Sequence, residues 1–383
     1  MSGRGRLCFH SAYLFPILAP WIGRFAGGAE VQLAQLMGGL RARDFDVNVV
    51  TCDYGQPAHI RLDDIGIYRS YPPQSRVPVI RFFHPRLTRT VRALNAADAE
   101  VYYVKGGGFV AGITHDVARW RNAGFVEHVA HDHDVERALT LHPLMRDRWW
   151  HRRALRGADR RLTQTEFQRG RLLADFGLES QVLPNLVEIP PHRVNAAQDG
   201  VVVWLGTYKA SKRPEWFQEL ARAMPERRFV MTGVVPPPPL TQDQWLDAER
   251  AARELPNLEV HGFLEHRAIT ELFSRAALVV HSSPAEGFSN VLLEAWSYGV
   301  PTVSSVDPDG VVRRHGLGSV ATDFPALVSE VTRWLDAPAA RGEAGARARA
   351  YVVEHHAPDH VLDQLTTILD GLVTEVRRKR GTR

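Results

Sequence analysis

The chain has 383 residues, 44% of them hydrophobic and 23% charged, with a formal net charge of +4. That length accommodates two domains with separate cores, and so small a charge gives no sign of a nucleic-acid partner, although basic residues cluster at 146–156 and at Arg377-Arg378-Lys379-Arg380. No run reaches the roughly 18 apolar residues of a membrane span, and Cys8 and Cys52, both in expected core strands, read as reduced thiols of a cytosolic protein.

Arg4 and Arg6 ahead of the apolar stretch 7–20 imitate a secretory signal. His10 and Pro16 interrupt that stretch, no small-x-small cleavage site follows, and the segment runs straight into a glycine loop, so it is read as a first strand. Strand-like runs then alternate with helical patterns twice over. The first series is 7–15, 47–52, 101–104, 125–130 and 161–164. After Pro184-Asn185 and the polar stretch 188–200 come 201–206, 229–233, 258–263, 277–281, 301–305 and 319–322. Near-continuous β-branched strands separated by helices argue for an α/β protein with two doubly wound parallel sheets, one in 1–187 and one in 188–358. A ligand cleft is then expected at the carboxyl ends of the strands, between the domains. The tetraproline Pro236–Pro239 reads as a local loop, because the alternation resumes after it. A last helix over 359–376 is amphipathic, with Val361, Leu362, Leu365, Ile368, Leu369 and Leu372 apolar.

The stretch from Ser282 to Pro301 sets Glu286 in a loop and Glu294 inside the helix that follows. Gly287 supplies a turn, Ser289 or Asn290 is a fitting N-cap, and Gly299 with Pro301 stops the helix. At 100° per residue Val291, Leu292, Ala295, Trp296 and Tyr298 share one face, with Glu294 at its edge. The free N–H groups of the first turn, around Phe288 to Asn290, form an anion site beside it.

With Glu286-Gly287-Phe288, Leu293-Glu294-Ala295 and Gly299-Val300-Pro301-Thr302-Val303 in place, this segment resembles the signature of the retaining glycosyltransferases of family 4, which have the GT-B architecture of two Rossmann-like domains. The resemblance implies that Glu286 contacts donor-sugar hydroxyls, that the backbone of Gly287, Phe288, Ser289 and Asn290 holds sugar and phosphate, and that Glu294 accepts from the ribose. It also implies that the helix after about residue 359, up to 383, packs back on the first domain.

The same resemblance extends to Gly206-Thr207-Tyr208-Lys209-Ala210-Ser211-Lys212, where the family carries Gly-Arg and, six residues after the Gly, a Lys. Lys212 matches. Thr207 stands where the Arg would be, which leaves one diphosphate cation missing unless Lys209 or Arg213 substitutes. Gly233, and Gly262 with the pair Phe263 and Leu264, resemble segments around the nucleotide base; that Gly233 and Gly262 are ordinary turn glycines is the plain alternative. Gly27 and Gly28, before Glu30, look like the family's Gly-Gly-x-Glu loop, or a plain tight turn before a helix over 31–40. They do not make a dinucleotide fingerprint.

The run His128-Val129-Ala130-His131-Asp132-His133-Asp134 combines metal-ligand types, but on an extended segment the two His and the two Asp project to opposite faces, which argues against a metal. By resemblance, His131 and Asp132 lie near the reacting sugar; solvated loop residues are the alternative. The basic and apolar run from Arg81 to Arg92 reads as a solvated helix face or as a peripheral membrane contact of the first domain.

Taken together, the residues and the resemblance imply a retaining, metal-independent hexosyltransferase with no resident cofactor. Its donor is a nucleotide-diphosphate sugar and its acceptor an unidentified hydroxyl on a glycan, a lipid-linked glycan or a small molecule. The candidate catalytic residues are Glu286, Lys212, His131 and Asp132. A nucleotide-sugar epimerase and a catalytically silent partner-binding subunit stand as alternatives, the latter supported by Thr207. The expected location is the cytoplasm, with contact to the inner face of the cell membrane as a variant.

Overall fold

A computed structural model of the chain describes residues 3–22, 27–73, 82–136, 139, 144–191, 200–235 and 243–382. Arg81, the tetraproline and 192–199 of the polar stretch lie outside them. The chain divides into two compact α/β units. One unit runs to Leu186 and takes in the chain from Pro358 onward; the other is Val187–Ala357.

The first unit holds β1 (Gly5–His10), β2 (Phe45–Thr51), β3 (His59–Leu62), β4 (Ile65–Arg69), β5 (Val101–Lys105), β6 (Gly124–His128), β7 (Arg160–Thr163) and β8 (Gln181–Val182). Their order is β3-β4-β2-β1-β5-β6-β7-β8, parallel except for the β3–β4 pair. Side chains alternate across each strand, so Leu7, Phe9, Val47 and Val49 enter one core while Cys8 and Val50 enter the other. Helices therefore cover both faces. Cys8 and Cys52 are buried free thiols, and burial pushes both above the usual thiol range.

The helix Pro358–Gly381 belongs to this unit. Its Leu362, Leu365, Leu369 and Leu372 join the core that contains Leu7 and Phe9, and Arg43 bonds Asp359 at 3.0 Å and Asp363 at 2.9 Å. Gly39 and Gly124 lie under Leu362 and Leu372, where no Cβ would fit.

Three strand expectations in this unit need correction. The first strand stops at His10 and not at residue 15, because Pro16 opens a helical turn, Phe15–Leu18. The hairpin β3–β4 went unread, since its two-residue turn is made by Asp63 and Asp64, both left-handed at φ 46° and 61°, in place of the usual glycine. β8 is two residues long and carries no periodicity of its own.

The second unit holds β9 (Val201–Thr207), β10 (Phe229–Val234), β11 (Leu258–His261), β12 (Ala276–His281), β13 (Thr302–Ser304) and β14 (Gly318–Val320), all parallel in the order β11-β10-β9-β12-β13-β14. Val201 and Val203 face one core, Val202 and Trp204 the other. Chain order reverses between β9 and β12, which opens a crevice at their carboxyl ends. Among the described residues no helix is long and apolar enough to cross a membrane.

Candidate active site

β9 and β12 are neighbours in the sheet, so the loops that leave them meet over the crevice. After Thr207 and Tyr208 the chain makes a short turn, Ala210–Lys212, and Arg213 takes a left-handed conformation (φ 44°) ahead of a helix opened by Pro214. Arg213 lies over the Trp216 ring at 4.5 Å. A hydrogen-bond chain anchors this turn: Trp204 Nε1 donates to Ser282 Oγ at 3.0 Å, and Ser282 Oγ faces the carbonyls of Lys212 at 2.6 Å and Arg213 at 3.1 Å. A core tryptophan and the residue just after β12 thus fix the backbone that presents Lys212.

From that position Lys212 Nζ contacts Glu286 Oε1 directly. Burial opposes the carboxylate's charge, but the nearby His281 ring and the Lys212 ammonium outweigh it and hold Glu286 well below the usual carboxylate range. His281 Nε2 stands 3.7 Å from Glu286 Oε1, beyond hydrogen-bond length, so the direct contact is Lys212's. The His281 ring is buried, and burial lowers its pKa against the opposing pull of Glu286; its Nδ1 meets Ser304 Oγ at 3.2 Å. His281 was missed in the sequence, where its only signal was a polar residue closing the apolar run of β12. Ser282 gave no signal at all.

Glu294 sits in the helix Asn290–Ser297, whose Leu292, Leu293, Ala295 and Trp296 are buried. With Leu293 buried as well, the helix is covered more widely than a single face, and Glu294 is the polar break in that cover. No hydrogen bond or ion pair engages its carboxylate among the described residues. Burial pushes it up to about 7. Ser289 occupies the N-cap position without a side-chain cap bond. Beside Gly287, Phe288 is fixed against Trp296 and His356, and Ser283 Oγ is buried with no partner among the described residues.

The other second-unit candidates also lie at carboxyl ends of strands. Gly206 and Gly233 face each other across β9 and β10, and a Cβ on Gly233 would strike the Gly206 carbonyl. They are strand residues in close approach, so the turn alternative does not hold for Gly233. Phe263 is 45% exposed beyond β11, while Leu264 packs on the core. Lys209 is exposed at the end of β9, next to Thr207.

The remaining candidates belong to the first unit. Gly27 and Gly28 open the helix Gly28–Arg41. His131 and Asp132 follow β6, but the segment is a tight turn over Asp132–Val135 and not the extended piece expected: the His131 side chain accepts from His133 N and Asp134 accepts from His131 N. The His131 and His133 rings stack at 5.0 Å, and Asp132 accepts from Gln168 at 2.9 Å. Among the described residues no three His, Cys, Asp or Glu side chains converge as metal ligands. The basic run leads into the helix Thr88–Ala97, which buries Thr90, Ala93, Leu94 and Ala97.

Residues 27–185 match the glycosyl transferase 4-like domain and residues 199–337 match glycosyl transferases group 1. No curated protein matches the sequence. Among solved structures, a sucrose-phosphate synthase from Thermosynechococcus elongatus superposes with a TM-score of 0.76 at 17% identity, over 96% of this chain and 99% of that one. HepE from Anabaena, solved with UDP and glucose, gives 0.70 at 14% identity over 95% and 99%. The lipopolysaccharide outer core galactosyltransferase WaaB gives 0.64 at 12% identity over 95% and 98%.

Proposed function

We propose, from the premise that this chain is a glycosyltransferase of GT-B architecture carrying a glycosyl transferase 4-like domain and a glycosyl transferases group 1 domain, that it moves a hexosyl group from a nucleoside diphosphate sugar to a hydroxyl acceptor with retention of configuration. The observation that carries the reading is the pair of unlike carboxylates beside the β9–β12 crevice. Glu286 is held ionised against Lys212, while Glu294 is engaged by no cation among the described residues. The first suits the hydroxyls of a donor sugar. The second suits a ribose, whose hydroxyls donate to a carboxylate.

In the reaction the bond from the anomeric carbon to the diphosphate oxygen breaks, the acceptor oxygen bonds to that carbon on the same face, and the acceptor proton passes to the departing diphosphate. Lys212 and the amides around Ser289 stabilise the charge that grows on the leaving group. Glu286 faces the positive character of the sugar ring. This assignment needs no metal, and binding of HepE to UDP and glucose makes a uridine donor the first to try. Glycan, glycolipid or other glycoconjugate synthesis in the cytoplasm, with peripheral contact to the membrane, is the setting that fits such a donor.

A thermal-shift screen of UDP, GDP, ADP and their sugars tests the reading. At least one nucleotide is expected to stabilise the protein, and its sugar to be transferred or hydrolysed. Interconversion without release would make the chain an epimerase, and no response to any nucleotide would defeat the donor assignment. Ribose hydroxyls favour the ionised Glu294, so nucleotide affinity should rise as pH increases through about 7.

A further inference from the structure

The first unit has a switch point of its own, between β1 and β5, and two buried polar atoms there have no hydrogen-bond partner among the described residues. His10 closes β1 and is 1% exposed. Thr114 Oγ1 donates its one proton to the Val110 carbonyl at 2.6 Å, so it accepts from His10 Nδ1–H, also at 2.6 Å. His10 Nε2 is thereby left as a bare acceptor, with no hydrogen-bond partner among the described residues. Burial, reinforced by the Arg86 charge, brings the imidazole down to about 3, so it stays neutral at any working pH.

Arg86 is the second group. Its guanidinium lies over the rings of Phe109 at 4.4 Å and Tyr71 at 5.4 Å, and its Nε is buried without a partner among the described residues. No carboxylate among those residues pairs with it. Of the acidic groups in this neighbourhood, Glu30 acts on Tyr13 and Tyr54, and Asp53 acts on Cys52 and is paired with Arg69 and Arg89 at 3.8 Å. The Arg86 charge also reaches Tyr13, Cys52 and Tyr71, which places it above the carboxyl ends of β1, β2 and β4 and beside the helix that follows β5. A half-buried cation held between two aromatic faces, with a buried Nε and no counter-charge among the described residues, is an arrangement that a ligand anion would complete.

We propose that Arg86 and His10 form an oxyanion subsite for a hydroxylated ligand, in which a phosphate or carboxylate oxygen is taken by Arg86 and a neighbouring hydroxyl donates to His10 Nε2. Tyr13, 46% exposed, offers an aromatic face at the opening. The subsite makes the acceptor of the proposed transfer an anionic polyol, and rests on that reading only for the word acceptor.

Calorimetric titration of the full chain with glucose, glucose 6-phosphate and glucuronate tests it, the last two separating phosphate from carboxylate. At least one of the two anionic sugars should bind about tenfold or more tighter than glucose. Arg86→Gln should erase that preference and Arg86→Lys should keep part of it, with melting curves showing that both variants fold and nucleotide affinity unchanged in each. Equal binding of all three sugars, or a preference that survives in folded Arg86→Gln, overturns the subsite. An Arg86-dependent preference in a protein that transfers from no donor would instead leave the subsite standing and defeat the glycosyl-transfer reading.

Discussion

Each unit places a lysine at or just beyond the carboxyl end of a central strand, and the partners of the two could hardly differ more. Lys105 closes β5, donates to Asn185 Oδ1 at 2.8 Å and lies 3.4 Å from His128 Nε2. Asn185 donates in turn to Gln164, Gln164 to the Val129 and Ala130 carbonyls, and His128 Nδ1 meets the Tyr103 hydroxyl at 2.6 Å. No carboxylate pairs with Lys105 among the described residues, and burial pushes its ammonium down to about 7. Lys212 in the second unit touches a carboxylate and holds it ionised. The carboxyl ends of central strands in two similar sheets therefore carry unlike electrostatics: a polar network in which Lys105 has no ion pair among the described residues, and an ion pair between Lys212 and Glu286. Partners decide this, since both lysines follow an apolar strand.

The contrast breaks most sharply at Glu286. Glu286→Gln keeps the size of the side chain but not the charge, so transfer should fall roughly 10²-fold or more while nucleotide affinity persists. Steady-state rates beside calorimetry would show it, and normal transfer would return weight to a silent subunit.

A smaller effect is expected at Glu294, which lacks the ion pair of Glu286. Glu294→Ala removes charge-assisted bonds to the ribose and should weaken nucleotide binding by roughly 1.5–3 kcal/mol. Calorimetry reads this directly, and unchanged affinity would take Glu294 out of the nucleotide site.

The smallest effect concerns stability in the first unit. Unfolded Lys105 keeps its proton to about 10.5, whereas the folded side chain releases it near 7, so between these values the unfolded chain binds the extra proton and stability rises with pH. Lys105→Met should flatten that rise, by up to about 1.4 kcal/mol per pH unit. Urea titrations of both proteins from pH 6 to 9 compare the slopes, and parallel curves would show that Lys105 keeps its proton when folded.

Much of this organisation was legible before any coordinates. Strands such as β9 and β12 are buried on both faces, so their sequences are continuous apolar runs that stand out against polar loops. The turn at Asp63-Asp64 was hidden because two aspartates adopt the left-handed conformation that glycine or asparagine usually signals. The turn after β6 was hidden for another reason: its caps are backbone-to-side-chain bonds among His131, His133 and Asp134, which composition does not reveal.

What the sequence determined by itself is local or periodic: the alternation of strand and helix, the approximate positions of most strands, and the spacing of Glu286 and Glu294 on a loop and a helix. These follow from chain geometry, in which neighbours along the sequence dictate the pattern. Only the tertiary structure decided which distant groups share a charge or a proton. Lys212 reaches Glu286 because β9 and β12 lie side by side, and His281 joins them because it closes β12. Arg86 stands over Phe109 and Tyr71 because the strands carrying their loops are gathered at one sheet end. Sequence separation says nothing about such contacts, since sheet order sets them, and the electrostatic state of each group depends on the burial and the partners that this order creates.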